Sequence, residues 1–117
     1  MPVQLTKPIA LYMSALNSND TAAMEACIAS DAHVYDMGEN NHINGLEAIK
    51  KWRSIISEEF HLKSEIKNVE DKYGITMLTS LTSGNFPGSP QLFTYFFAVV
   101  DGLIADILIL PGEEDSK

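Results

Sequence analysis

Apolar positions recur at helical spacing at the start of the chain and again near its middle, and they alternate or run together as strands through its second half. Between the first helices and the long one lies a short alternating stretch that carries a carboxylate. Ile9, Tyr12, Met13 and Leu16 step by three and four after Thr6 and Pro8, which suit an N-cap and a first turn. The spacing predicts an amphipathic helix over 7–17. The turn Asn17-Ser18-Asn19-Asp20 ends it, and Asp20 is placed to cap a second, short helix with Met24, Cys27 and Ile28 on one face, closing near Ser30-Asp31. In Ala32-His33-Val34-Tyr35-Asp36-Met37 the period becomes two, so Asp36 shares a face with Val34, away from Tyr35 and Met37. Gly38-Glu39-Asn40-Asn41 is turn-rich. Asn44 with Glu47 three residues later has the form of a capping box, opening a helix from Leu46 to about Glu59.

Beyond Phe60 the pattern is that of strands. Leu62 and Ile66 alternate with Lys63, Glu65 and Lys67, and the turn Asp71-Lys72-Tyr73-Gly74 leads into Ile75-Thr76-Met77-Leu78-Thr79. After a wide loop, Ser83 to Pro90, the runs Leu92–Val100 and Leu103–Leu110 flank Asp101-Gly102, a strong signal for a two-residue hairpin. An uninterrupted register from that turn puts Thr94, Phe96 and Ala98 on one face with Ala105, Ile107 and Ile109. Tyr95, Phe97 and Val99 then share the other with Ile104, Asp106 and Leu108. Both faces are mostly apolar and must be covered; three helices can cover one, so a second copy of the chain is expected on the other, a homodimer through the sheet. Asp106 would lie at or near that interface as an ion-pair or registry contact.

At 117 residues the chain reads as one domain over 1–112 with a solvated acidic tail over 113–117. A formal charge of -8 with only eight Lys and Arg, none clustered, argues against nucleic-acid and anionic-membrane partners. The start, MPVQLTKP, lacks a signal-type apolar run, and Asp101-Gly102 and Asp106 interrupt the apolar region 92–110, so no membrane helix is expected and the location expected is cytoplasmic. The lone Cys27 sits at a core position and reads as a buried, inert thiol.

Three polar residues on apolar faces carry what chemistry the pattern holds. Asp36 faces inward with Val34 and must be solvated, paired or tuned. Arg53 lies in the middle of the stripe Leu46, Ile49, Ile56 and Phe60, beside Trp52. Either its head snorkels to water or it faces a pocket and pairs with a carboxylate, a phenol or an anionic ligand. The spacing of His33, His42 and His61 does not suggest a metal site, and no cofactor motif, phosphate loop or nucleophile elbow is present. His42 reads as a loop histidine, with an auxiliary acid or base at the pocket mouth as the alternative.

The order helix, helix, strand, long helix and then antiparallel strands is an α+β plan. Three segments give it a family likeness: Tyr12 through Leu16-Asn17-Ser18-Asn19-Asp20; Ala29-Ser30-Asp31-Ala32-His33-Val34-Tyr35-Asp36; and Asn44-Gly45-Leu46-Glu47-Ala48-Ile49. They resemble the helix-turn, "DA-x-V-x-D" and "G-x-x-A-I" patterns of the nuclear-transport-factor-2-like superfamily, in its ketosteroid isomerase and SnoaL-like polyketide cyclase branch. The resemblance implies a cone-shaped, curved antiparallel sheet with three N-terminal helices on its concave face, a cystatin-like roll. It implies that Asp36 takes a proton from a carbon beside a carbonyl while Tyr12 donates to the resulting enolate oxygen, chemistry for which the ketosteroid isomerases are a standard illustration. The second oxyanion donor of those isomerases falls nearest Thr94, and two supporting tyrosines are replaced by Ile28 and Arg53. Their hydrogen-bond network is therefore not reproduced, and steroid isomerisation itself is not expected. The expected function is binding of a small, largely apolar organic ligand, or isomerase-, cyclase- or hydrolase-type acid-base chemistry upon it. Asp36, Tyr12 and Arg53 are the catalytic candidates, and Trp52, Thr94, Phe96, Ile107 and Ile109 line the pocket. The competing reading is a non-catalytic homodimeric module closed by a buried Asp36–Arg53 salt bridge.

Overall fold

The computed structural model describes residues 6–18 and 20–111. The leader-free reading of residues 1–5 and the acidic tail at 113–117 lie outside them. Helix α1, Lys7–Ser18, buries Ile9, Tyr12, Met13, Ala15 and Leu16, the stripe expected from the spacing. Asp20 caps the next element, its carboxylate accepting from the Ala23 N–H at 3.3 Å, but that element is a 3-10 helix, Thr21–Ala26. It ends earlier than expected: strand β1 already begins at Ile28 and runs to Asp36. A 3-10 turn, Met37–Glu39, and Asn40 in the left-handed region lead to β2, Asn41–Asn44, which the sequence pattern did not predict.

Helix α2, Leu46–Phe60, has the expected length but a different start. Asn44 belongs to β2, opposite His33, and makes no capping box. The N-cap is Gly45 at φ 93°, a conformation that L side chains rarely adopt; its N–H donates to the Ala32 carbonyl at 2.7 Å, tying the helix start to β1. Strands β3 (Lys63–Lys72), β4 (Ile75–Ser83), β5 (Gln91–Val100) and β6 (Leu103–Pro111) complete the chain. Asp101 and Gly102, at φ 53° and 80°, make the left-handed pair that a tight hairpin turn requires.

Among the described residues six strands form one sheet in the order β2-β1-β6-β5-β4-β3. It is mixed, not wholly antiparallel: β1 runs parallel to β6 while the other neighbours are antiparallel. The hairpin register differs from expectation too. Val100 opposes Leu103 and Val99 opposes Ile104, but Ala98 opposes Asp106, leaving Ala105 as an extra residue on β6. This bulge exchanges the faces beyond it. Tyr95 and Phe97 now share the helix side with Ile107 and Ile109, while Thr94, Phe96 and Ala98 share the far side with Asp106, Leu108 and Leu110. The core consists of that helix-side row with Val34, Leu78 and Ile104 from the sheet and Ile9, Leu16, Met24 and Ile49 from the helices. No helix among the described residues is long and apolar enough to cross a membrane.

Candidate functional site

Asp36 ends β1. It opposes Ile109 on β6, Ile109 opposes Tyr95 on β5, and Tyr95 opposes Leu78 on β4. Residues paired across adjacent strands point to the same side, so these four form one row facing the helices. Asp36 is half-buried, and its carboxyl is raised above the usual carboxylate range. Burial is the main cause and the charge of Glu39 the second; Arg53 and the backbone N–H groups of Glu39 and Gly38 act the other way.

Arg53 reaches this region from α2, whose buried residues Ile49, Arg53 and Ser57 are spaced by four. The residue is 4 % exposed, so its head does not snorkel to water. Its Nε–H donates to the Tyr12 Oη at 2.8 Å, and its guanidinium carbon lies 4.6 Å from the Trp52 ring centroid and 5.5 Å from that of Tyr12. No carboxylate lies within salt-bridge reach of it among the described residues. Burial alone would lower the guanidinium's pKa, but the phenol groups of Tyr12 and Tyr95 outweigh it and hold the charge in place. The expected Asp36–Arg53 salt bridge is therefore not formed; the two act on each other only through space. The arginine selects the phenol because Tyr12 sits one helix away on the core face, whereas Asp36 is at the end of its strand.

Tyr12 is fully buried, edge-on to Phe97 with centroids 5.7 Å apart, and Phe97 is in turn stacked on Tyr95. Burial pushes the Tyr12 phenol up to about 12, with Arg53 opposing. It remains a neutral donor at any ordinary pH: the bond from Arg53 uses an Oη lone pair and leaves the hydroxyl hydrogen free. A cation at that oxygen makes the hydrogen a stronger donor.

The sequence-predicted residues thus divide. Tyr12, Asp36, Arg53, Ile107 and Ile109 lie on the helix side, and Trp52 covers the guanidinium, half-buried. Thr94 and Phe96 are corrected: the bulge at Ala105 turns both to the far face. The inward residue of β5 is Tyr95, 3 % exposed, which sequence reasoning missed. Asp106 was the available signal. An uninterrupted register buries that charge with Tyr95 and Phe97, and one extra residue on β6 turns it out to solvent. Cys27 is buried as expected, and burial pushes its thiol up to about 11. A groove of about 640 Å³ opens elsewhere, between α1 and β3, lined by Ala10, Met13, Asn17, Lys63 and Ile66 among others and by none of the predicted site residues.

No protein-family model matches the chain, and no curated protein matches it. Solved structures do. A candidate polyketide cyclase from Sinorhizobium meliloti is 31% identical over 91% of this chain and 95% of its own, with a TM-score of 0.85. A protein of cystatin-like fold from Methylobium petroleophilum superposes with a TM-score of 0.81 at 17% identity, covering 95% of this chain and 77% of the other. A protein of ketosteroid isomerase-like fold from Catenulispora acidiphila, solved with trimethylamine, gives 0.79 at 13% identity over 91% and 86% of the two chains.

Proposed function

The chain belongs to the nuclear-transport-factor-2-like superfamily, among its polyketide cyclase-like and ketosteroid isomerase-like members, and from that premise we propose that it performs acid-base chemistry on a small, largely apolar, enolisable organic compound. Asp36 is the base. Its raised pKa gives the carboxylate more basicity than an exposed aspartate has, without burying it so deeply that it cannot ionise. Tyr12 donates to the oxygen on which charge develops, and Arg53 behind it supplies the positive field. Tyr95, on the row of Asp36 and within the influence of Arg53, is a second candidate donor where the isomerases carry a carboxylic acid. Trp52, Ile107 and Ile109 supply apolar walls of a cone-shaped pocket. The observation that carries this reading is the 2.8 Å Arg53–Tyr12 bond, with a buried cation that no carboxylate among the described residues neutralises. The non-catalytic reading loses its Asp36–Arg53 ion pair. We also propose a homodimer through the uncovered face of the sheet.

The test is deuterium wash-in from heavy water at the carbon between the carbonyls of a panel of β-keto esters, followed by NMR. Asp36→Asn is expected to lower the exchange rate on the accepted compound by about 10²-fold or more. Tyr12→Phe should lower it by about 10²-fold, as loss of one oxyanion donor does. Exchange that survives Asp36→Asn unchanged removes Asp36 from the chemistry.

A further inference from the structure

The far face of the sheet carries a second cluster that the acid-base site does not use. Strand pairing sets His33 on β1 opposite Asp106 on β6, and His42 on β2, opposite Tyr35, is its diagonal neighbour on the same face. His33 Nδ1 lies 3.3 Å from Asp106 Oδ1, and His33 Nε2 lies 2.9 Å from His42 Nδ1. The two imidazole planes are 21° apart with centroids at 5.1 Å, close to the 2.9 Å gap plus one ring radius at each end. The nitrogens therefore face each other and share one hydrogen. Asp106 accepts the Nδ1 hydrogen of His33, which leaves His33 Nε2 as a bare lone pair directed at His42. Tyr35 stacks on the face of the His42 ring at 4.2 Å and 9°, its hydroxyl donating to Asn40 Oδ1 at 3.1 Å.

We propose that His33 Nε2 and His42 Nδ1 form a binding site for a first-row divalent transition cation, Zn²⁺, Ni²⁺ or Cu²⁺, which takes the place of the shared hydrogen. Two nitrogens 2.9 Å apart subtend about 90° at an ion about 2.1 Å from each, the angle between adjacent ligands in square-planar or octahedral coordination. A tilt of each ring about its Cβ–Cγ bond brings the lone pairs together there. Asp106 stands where metal-binding histidines keep a carboxylate, on the other ring nitrogen, fixing tautomer and orientation. No three or more His, Cys, Asp and Glu side chains among the described residues are arranged to hold a metal, so this is a two-nitrogen site completed by water. His33 and His42 come from adjacent strands, and His42 is exposed on β2 at the edge of the sheet, so an ion can reach the pair from that edge even with a second copy on the face. The chain's -8 charge favours its approach. Bound there, the ion pins the four-residue edge strand β2 to β1.

The experiment is calorimetric titration of the whole protein with ZnCl₂ and NiCl₂, with melting temperature as a second readout. One ion per chain is expected, with a rise in melting temperature. His33→Ala and His42→Ala should each weaken binding at least tenfold, Asp106→Asn by about 10- to 100-fold, and His61→Ala not at all. Circular dichroism confirms that each variant folds. Affinity weaker than millimolar in the wild type overturns the proposal, and so does undiminished binding in His42→Ala.

Discussion

The cost of burying the Arg53 guanidinium is met by neutral groups: a phenol oxygen, the faces of Trp52 and Tyr12, and the through-space influence of Tyr95. Asp36, the expected counter-charge, has instead a raised pKa, and this bears on stability. A carboxyl whose pKa is higher in the folded than in the unfolded chain helps the fold while protonated, and the help is lost as pH rises through the raised value. At neutral pH the ionised Asp36 therefore weighs against folding. Asp36→Asn is expected to melt higher than the wild type at about pH 7, with a smaller advantage at about pH 4, where the unfolded aspartate also takes up its proton. Melting curves at the two pH values check this; a variant that melts lower at neutral pH would show that the carboxylate is structural. These residues were legible because a polar side chain on an apolar stripe is visible in one dimension. Which of them touch was not, since whether Arg53 meets Tyr12 or Asp36 depends on where α2 lies across the sheet.

At the level of elements, the single extra residue Ala105 decides which side chains of β5 and β6 face the helices. Inserting one alanine between Asp106 and Ile107 should shift the pairing beyond it by one residue, turning Ile107 and Ile109 out, whereas deleting Ala105 only straightens the strand, with Asp106 still opposite Ala98 and Ile107 still opposite Phe97. Exposing two buried isoleucines costs about 3–6 kcal/mol, which urea denaturation will register as a lower midpoint, whereas Ala105→Ser, which keeps the residue count, should be nearly neutral. Equal midpoints for the insertion variant and wild type would mean that the strand slips without cost. Turns were readable because Asp101-Gly102 and Tyr73-Gly74 have local conformational requirements. Two features were not. A bulge has no residue signature of its own beyond the stranded charge it relieves, and β2, with only Ile43 buried, is too short to show a period.

For the molecule as a whole, the far face of the sheet is the surface left open. Pairing across strands aligns Tyr35, Leu108, Phe96 and Met77 in one row, with Leu110, Leu92 and Leu81 nearby, and among the described residues no helix covers them. Phe96→Glu should convert the expected dimer to monomer in sedimentation velocity, leaving the helix-side core intact. A wild type that sediments as a monomer at micromolar concentration would remove the dimer. The α+β plan was legible from the order of periods, but the parallel β1–β6 pairing was not, because it joins Asp36 to Ile109 across most of the chain and periodicity carries no information over that distance. That pairing also orders events during synthesis. The β1 strand leaves the ribosome early yet has its largest neighbour in β6, the last strand among the described residues, so the helices and Asp36 wait without their sheet until β6 has emerged. The row of Asp36, Ile109 and Tyr95 is thus assembled only once β6 has been made, and a nascent chain arrested before it lacks one wall of the proposed site.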